Sequence, residues 1–350
     1  MLATLTPDTG GPRHIVNPDL TVDSLDLAFL DEHGYLQPNV QFLTPEGLRF
    51  CRENIDRMTH AMAQSQPDRG PDRMISQHQC EGGEWLWRLI AHPVLVEAAQ
   101  RQLPGIAGVL CWSTHLLIKP PGTGEAIPCH QDAPYWNMFG EMSAAVWIAL
   151  DDVDEGNGTM TVVPGYHRLG TLPRIIDQSQ EGFSNRKSGF SQSIRPDALP
   201  TDGREVTYEM SAGQMAMHHV MTPHSSPANT DPTRWRRVIV IRYLSADSAL
   251  GCQTYQSFHD GSDFPREYFL LRGADTRGYG CRRSAFDPPT AQAPGYVGDP
   301  AVVSLGINNC SSVKEKGKVT FLPVDKKAAD DERQHGHSGG GGRGFGGSKL

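Results

Sequence analysis

Nowhere does this 350-residue chain string together the roughly 18 apolar residues that a membrane-spanning helix requires, so insertion into a bilayer is not expected. Its first residues lack the basic-then-apolar pattern of a secretory leader, which points to a soluble protein that is not secreted. Basic clusters are also scarce. The net charge is -8, and Arg282-Arg283 and the Lys314 to Lys318 stretch are short enough to be solvated surface, so a nucleic-acid partner is not expected. The 7 cysteines (Cys51, Cys80, Cys111, Cys129, Cys252, Cys281 and Cys310) are odd in number, scattered, and contain no Cys-x-x-Cys. That argues against a disulfide framework or a zinc knuckle and suits reduced thiols in an intracellular compartment. No internal repeat is visible. Gly156-x-Gly158 lies between expected strands without a following helix, and the glycine-rich tail has no Lys-Ser/Thr, so neither is a phosphate loop.

What the chain does have is Cys129-His130-Gln131-Asp132. In a strand, residues i and i+2 point to one face, so His130 and Asp132 can grip one ion while Cys129 turns to the opposite face and packs. With 14 histidines in the chain this spacing alone says little, and the surrounding sequence has to carry the inference. Downstream come Met217-His218-His219-Val220-Met221-Thr222-Pro223-His224-Ser225-Ser226, then Arg234-Trp235-Arg236-Arg237 and the apolar run Val238-Ile239-Val240-Ile241. A histidine from this stretch would complete a two-histidine, one-carboxylate triad, the donor set of non-haem Fe(II) oxygenases, which leaves positions open on the metal. An arginine opening a β-branched strand offers a two-pronged donor to a carboxylate.

In these segments the chain resembles the phytanoyl-CoA dioxygenase family of Fe(II)/2-oxoglutarate oxygenases. The similarity runs from Lys119-Pro120-Pro121-Gly122 through His130-Gln131-Asp132 and Ala145-Val146-Trp147-Ile148-Ala149-Leu150-Asp151-Asp152. It continues through Glu155-Gly156-Asn157-Gly158-Thr159-Met160-Thr161-Val162-Val163-Pro164-Gly165-Tyr166-His167 to the His224 and Arg236 segment. By this resemblance the metal ligands, and catalytic residues, are His130, Asp132 and His224, with His218 and His219 left out. The cosubstrate arginine is Arg236, with Arg237 as runner-up facing outward. Ser226 would donate to the same carboxylate and Trp147 would flank the cosubstrate. His115 stands where animal members of the family have a methionine near 2-oxoglutarate. The family's earlier cosubstrate lysine has no counterpart in Ser76-Gln77-His78-Gln79. Related halogenases replace the carboxylate with a small residue, so the presence of Asp132 favours oxygen insertion. The implied cofactors are Fe(II), 2-oxoglutarate and O2. The implied reaction is hydroxylation of an unactivated C–H in a small organic or acyl-CoA-type substrate, with release of succinate and CO2. Tyr135, Trp136 and Asn137, just past the metal strand, are the candidate substrate contacts.

The expected fold is mainly β, a double-stranded β-helix (jelly roll, cupin-like) with N-terminal helices packed on it. Residues 1–20 read as an unstructured lead-in, and 21–325 as one domain with its barrel core at about 108–245. An insertion over about 166–204 reads as a lid, 246–325 as a C-terminal wrap, and 326–350 as a flexible glycine-rich tail. A short amphipathic segment is expected from Leu25 to near Gly34, and helices from Thr44-Pro45 onward and over 85–103 with a break at Pro93. Strands are expected near 111–118, 126–131, 144–151, 159–163, 205–210, 214–219, 224–227 and 236–244. The terminal Ser348-Lys349-Leu350 matches a peroxisomal address, which would add an import receptor as partner; without it the expected location is cytoplasmic. Two alternatives stand beside the oxygenase reading. One is a non-catalytic jelly-roll protein that binds a metal or ligand, against which the intact His130, Asp132, His224 and Arg236 speak. The other is a metal enzyme of the same barrel that needs no cosubstrate, in which Arg236 and Ser226 would lack a purpose.

Overall fold

The longest antiparallel pair, Gly108–Lys119 with Arg236–Ser245, organises the molecule. The computed structural model describes residues 14–65, 73–75, 83–103, 105–133, 138–139, 142–176, 192–250, 254–256, 263–265, 268–279 and 281. In the larger sheet, of seven strands, the path runs Tyr35–Leu36, Met215–His218, Met142–Ala149, Arg236–Ser245, Gly108–Lys119, Phe269–Gly273, with Arg73–Ile75 also paired to Gly108–Lys119. Facing it is a four-stranded sheet in the order Val206–Thr207, Thr161–Val162, His224–Ser226, Ile127–His130. Together they make the expected double-stranded β-helix, and a strand stands at each of the eight expected positions.

Strand alternation divides the larger sheet into two faces. Val146, Ile148, Met215, Met217, Ile239 and Ile241 point outward into a core shared with the helices. Ala145, Trp147, Ala149, Ala216, Val238 and Val240 point inward, where they meet Val162, Met160 and Tyr208 between the sheets. Register converts this alternation into transverse rows. His218, Ala145, Arg242 and Ser113 form one row; Ala216, Trp147, Val240 and His115 form another; Arg236 pairs with Lys119 in a third.

The helices cap as their sequences dictate. Helix α1 (Leu27–His33) has Asp26 as N-cap, accepting from the Phe29 amide, and stops at Gly34 in the left-handed region (φ 78°). Helix α2 (Pro45–Ser65) begins where the Thr44 hydroxyl accepts from the Gly47 amide at 2.9 Å. Helices α3 (Trp87–Ile90) and α4 (Pro93–Gln102) are separated at Pro93, which takes the first position of α4 because its missing amide costs nothing there. Leu89, Ile90, Leu95 and Ala98 from these two helices close over the outer face, and the Tyr243 hydroxyl donates to the Ile90 carbonyl.

One expectation needs correcting. Residues 14–20 belong to the core: Ile15 and Val16 are buried, Val16 pairs with Leu43, and the Asn17 amide donates to the Phe42 carbonyl. Apolar residues between the turn-formers had a partner, the strand-like segment before α2, that no local pattern reveals. The approach is so close that a Cβ on Gly47 would sit 2.0 Å from the Ile15 carbonyl oxygen. Residues 1–13 lie outside the described residues, as do Ser76–Gln79, Tyr135, Trp136, Asn137 and the whole of 326–350.

Of the insertion, 166–176 and 192–204 are described. They hold the turn Tyr166–Leu169 and a hairpin of Arg174–Ile176 with Gln192–Ile194, and the second hairpin strand packs beside Ile127–His130. Of the segment after 245, Tyr268, Leu270 and Tyr279 pack on Leu110, Trp112 and Leu244, while Phe269–Gly273 adds an edge strand.

Candidate metal centre and cosubstrate pocket

His130 and His224 are directly paired across adjacent strands of the smaller sheet, with ring centroids 4.2 Å apart. Asp132 follows two residues after His130, and the ligand atoms of His130, Asp132 and His224 all lie within 4.8 Å of one another, with all three residues buried. Each imidazole is held by its other nitrogen. His130 Nδ1 lies 2.8 Å from the Pro128 carbonyl and His224 Nδ1 lies 2.9 Å from the Thr222 carbonyl. A carbonyl can only accept, so both Nδ1 atoms carry the hydrogen and both Nε2 lone pairs are left for an ion. Burial, with His130 and His218 beside it, holds His224 well below the ordinary imidazole value, so the ring is neutral. Burial alone would raise Asp132, but the Arg242 charge together with His130 and His218 holds it well below the usual carboxylate range. Two neutral imidazoles and one carboxylate are what a divalent first-row ion takes from a triad.

Asp132 Oδ1 faces the imidazoles, 3.7 Å from His130 Nε2 and 4.0 Å from His224 Nε2. Its Oδ2 points the other way and accepts from Arg242 Nε at 3.1 Å and Arg242 Nη2 at 3.0 Å, with His218 Nε2 at 3.9 Å. Gln131, between the two ligands, is buried and donates to the carbonyls of Gly170 and Met221, both at 2.8 Å, while its oxygen accepts from the Leu172 amide at 2.9 Å. It ties the metal strand to the root of the insertion and to the loop before His224.

A second cluster lies along the same inner face. Arg236 is buried and donates from Nη1 to the Leu117 carbonyl, while its Nε has no partner among the described residues. Opposite it, the Lys119 amine meets the Ser226 hydroxyl at 2.7 Å, the Ser226 carbonyl at 3.3 Å and the Pro227 carbonyl. Burial pulls Arg236 down to about 9, and burial with the Arg236 charge pulls Lys119 down to about 6. A buried guanidinium beside a buried amine that can take up a proton, with no carboxylate bonded to either among the described residues, makes a receptor for an anion. Trp147 and His115 sit two rows along the inner face, beyond Val238 and Ala149, with Trp147 packed edge-on against Tyr208 at 6.1 Å.

The structure thus brings His130, Asp132 and His224 together and gathers Arg236, Ser226, Trp147 and His115 on the inner face or beside it. Arg237 turns outward, where it bonds both oxygens of Asp151 and reaches Asp56 on α2. Cys129 takes no part in the triad; burial raises its thiol to about 11. Three buried polar residues went unassigned by the sequence reasoning: Arg242, Lys119 and Gln131. Arg242 was the most accessible, because it lies six residues beyond Arg236 and alternation puts both on one face. The sequence pattern of phytanoyl-CoA dioxygenase (PhyH) matches residues 30–238.

The chain belongs to the PhyH family.

Members of this family work with Fe(II) and 2-oxoglutarate, and the donor set described above fits that pair of groups. Among relatives, a probable alpha-ketoglutarate-dependent hypophosphite dioxygenase of Stutzerimonas stutzeri is 32% identical over 143 residues, 40% of this chain and 47% of that protein. The match thus spans about half the length of that relative. The peroxisomal phytanoyl-CoA dioxygenase of Mus musculus is 26% identical over 238 residues, 63% of this chain and 67% of the mouse protein. The apo form of the non-heme monooxygenase ThoJ superimposes with a TM-score of 0.56 at 25% identity, covering 75% of this chain and 90% of ThoJ. The PhyH relatives thus share the fold and the iron-dependent chemistry class, while their names span very different substrates.

Proposed function

We propose that the chain is an Fe(II)- and 2-oxoglutarate-dependent hydroxylase of a small organic molecule, with an acyl-CoA as one form that molecule could take. The observation that carries this reading is the buried triad: two imidazole Nε2 atoms and one carboxylate oxygen converge within 4.8 Å while both Nδ1 atoms are fixed by carbonyls. Iron bound there with 2-oxoglutarate and O2 supplies the oxidising power for C–H hydroxylation, with succinate and CO2 released. The protein does the rest by positioning. His130, Asp132 and His224 hold the metal. Arg236, with Ser226, receives the far carboxylate of 2-oxoglutarate, and the unpartnered Arg236 Nε and the adjacent Lys119 favour a dianionic guest. Trp147 and His115 wall that pocket, and Val238, Val240 and Tyr208 keep its inner face dry.

The carboxylate at Asp132 speaks for oxygen insertion, and the buried Arg236 beside Lys119 speaks against an enzyme of this barrel that dispenses with a cosubstrate. The test is turnover of 2-oxoglutarate. Wild-type protein with Fe(II) releases succinate in air, faster when the true substrate is present. His224→Ala releases none, and Arg236→Ala requires far more 2-oxoglutarate. Equal succinate release by wild type and His224→Ala would refute the reading, and a substrate screen by succinate release follows from a positive result.

A further inference from the structure

The two oxygens of Asp132 are treated differently by their surroundings. Oδ1 looks toward His130 Nε2 and His224 Nε2. Oδ2 accepts two N–H groups from one buried guanidinium, Arg242 Nε at 3.1 Å and Nη2 at 3.0 Å. This second contact is supplied by the opposite sheet. Arg242, Ala145 and His218 occupy one transverse row on the inner face of the larger sheet, with the short Ala145 between the two long side chains that face Asp132 Oδ2. The His218 Nε2 lies 3.9 Å from Oδ2.

A carboxylate offered freely to a metal ion can bind through one oxygen or through both. Binding through both would consume one of the positions that a chelating 2-oxo acid and O2 need. We infer that Arg242 is a positioning residue that commits Asp132 to bind through Oδ1 alone, and so preserves the open positions for the cosubstrate. The inference rests on the metal-binding reading of the triad. It gives Arg242 a role distinct from that of Arg236: Arg236 meets the cosubstrate itself, whereas Arg242 acts only through Asp132.

The test uses the full chain, loaded anaerobically with Fe(II) and titrated with 2-oxoglutarate, following the visible charge-transfer band of the chelate. Co(II)-loaded protein gives a second readout, because the intensity of its visible bands falls as coordination number rises. Arg242→Met removes both donors, and Arg242→Lys keeps the charge but cannot reproduce the pair of N–H contacts to one oxygen. Loss of an outer contact to a ligand generally costs about 10–100-fold, so Arg242→Met is expected to weaken 2-oxoglutarate binding by at least about tenfold. Arg242→Lys is expected to weaken it severalfold, and the Co(II) bands should lose intensity in both. In an Asp132→Ala background, Arg242→Met should change nothing further. If Arg242→Met does not fold, Arg242→Lys with unchanged affinity and unchanged Co(II) bands overturns the inference. So does an undiminished effect of Arg242→Met in the Asp132→Ala background. A wild-type protein that forms no chelate at all refutes the metal reading itself, a separate result from either of these.

Discussion

Burial and the neighbouring Arg236 charge pull the Lys119 amine down to about 6, so its proton is exchanged close to neutrality. The amine donates to the carbonyls of Ser226 and Pro227 and to the Ser226 hydroxyl oxygen. When protonated, it donates to the Ser226 oxygen and frees that hydroxyl to donate to a bound carboxylate. Because the charged form favours the anion, cosubstrate affinity should be greatest below pH 6 and fall as pH rises above it. Calorimetric titration of 2-oxoglutarate into metal-loaded protein between pH 6 and 8 measures this, and Lys119→Met should bind more weakly at pH 6 and lose most of the slope. A second residue-scale prediction separates two neighbours. Arg236→Met should raise the Kd for 2-oxoglutarate. Arg237→Met should leave it unchanged but lower stability by about 1–3 kcal/mol through the loss of partly buried bonds to Asp151, read from a denaturant melt.

The candidate metal residues were legible in the sequence because Asp132 follows His130 by two residues, just past the end of the strand Ile127–His130, and the segment before Arg236 carries His224. Lys119 and Arg242 were legible only in part. Lys119 stood inside the quoted Lys-Pro-Pro-Gly segment, yet nothing local says that its amine turns inward. That follows from its register opposite Arg236 and from Gly158, where a Cβ would come within 2.9 Å of the Lys119 side chain. Arg242 shares a strand face with Arg236, six residues away. Its partner, Asp132, lies 110 residues away on the other sheet, and no periodicity predicts such a pair.

Among the elements, the strands with a clear apolar alternation and a turn on either side stood out in the chain. Among those that escaped, Tyr35–Leu36, Arg73–Ile75 and Phe269–Gly273 are short or lie at an edge, and they exist because a strand distant in sequence offers them hydrogen bonds. Gln131 is the fastening between elements. Its three side-chain bonds hold the insertion at Gly170 and Leu172, and the His224 loop at Met221, against the metal strand. Gln131→Leu leaves the buried Leu172 amide without its partner, at a cost of about 1–3 kcal/mol, and removes the bonds to the Gly170 and Met221 carbonyls. The expected outcome is faster amide exchange over 170–172 and around 221, with weaker metal binding, while the helices keep wild-type protection. Unchanged exchange at Leu172 would show that the hairpin is held by other contacts.

For the whole molecule, buried imidazoles set the response to acid. Burial holds His92 and His219 down to about 4 and, with nearby histidines, His224 well below its ordinary value. The unfolded chain takes up protons near pH 6.5 that the folded chain refuses, so metal-free stability should hold above about pH 6.5 and fall as pH drops from there toward 4. Thermal melts across that range check the sign, since stability that rose on acidification would contradict it. A bound ion adds stability by mass action, about 2.7 kcal/mol at a hundredfold excess over its Kd, and none of this gain should appear in His224→Ala.

The measurement that bears most directly on the central claim is anaerobic addition of Fe(II) and then 2-oxoglutarate to the full chain, watched by visible absorption. The predicted result is the weak charge-transfer band of an iron–2-oxo acid chelate, absent from His224→Ala and reached only at much higher 2-oxoglutarate in Arg236→Ala. A folded, metal-loaded wild-type protein that forms no such band would contradict the account.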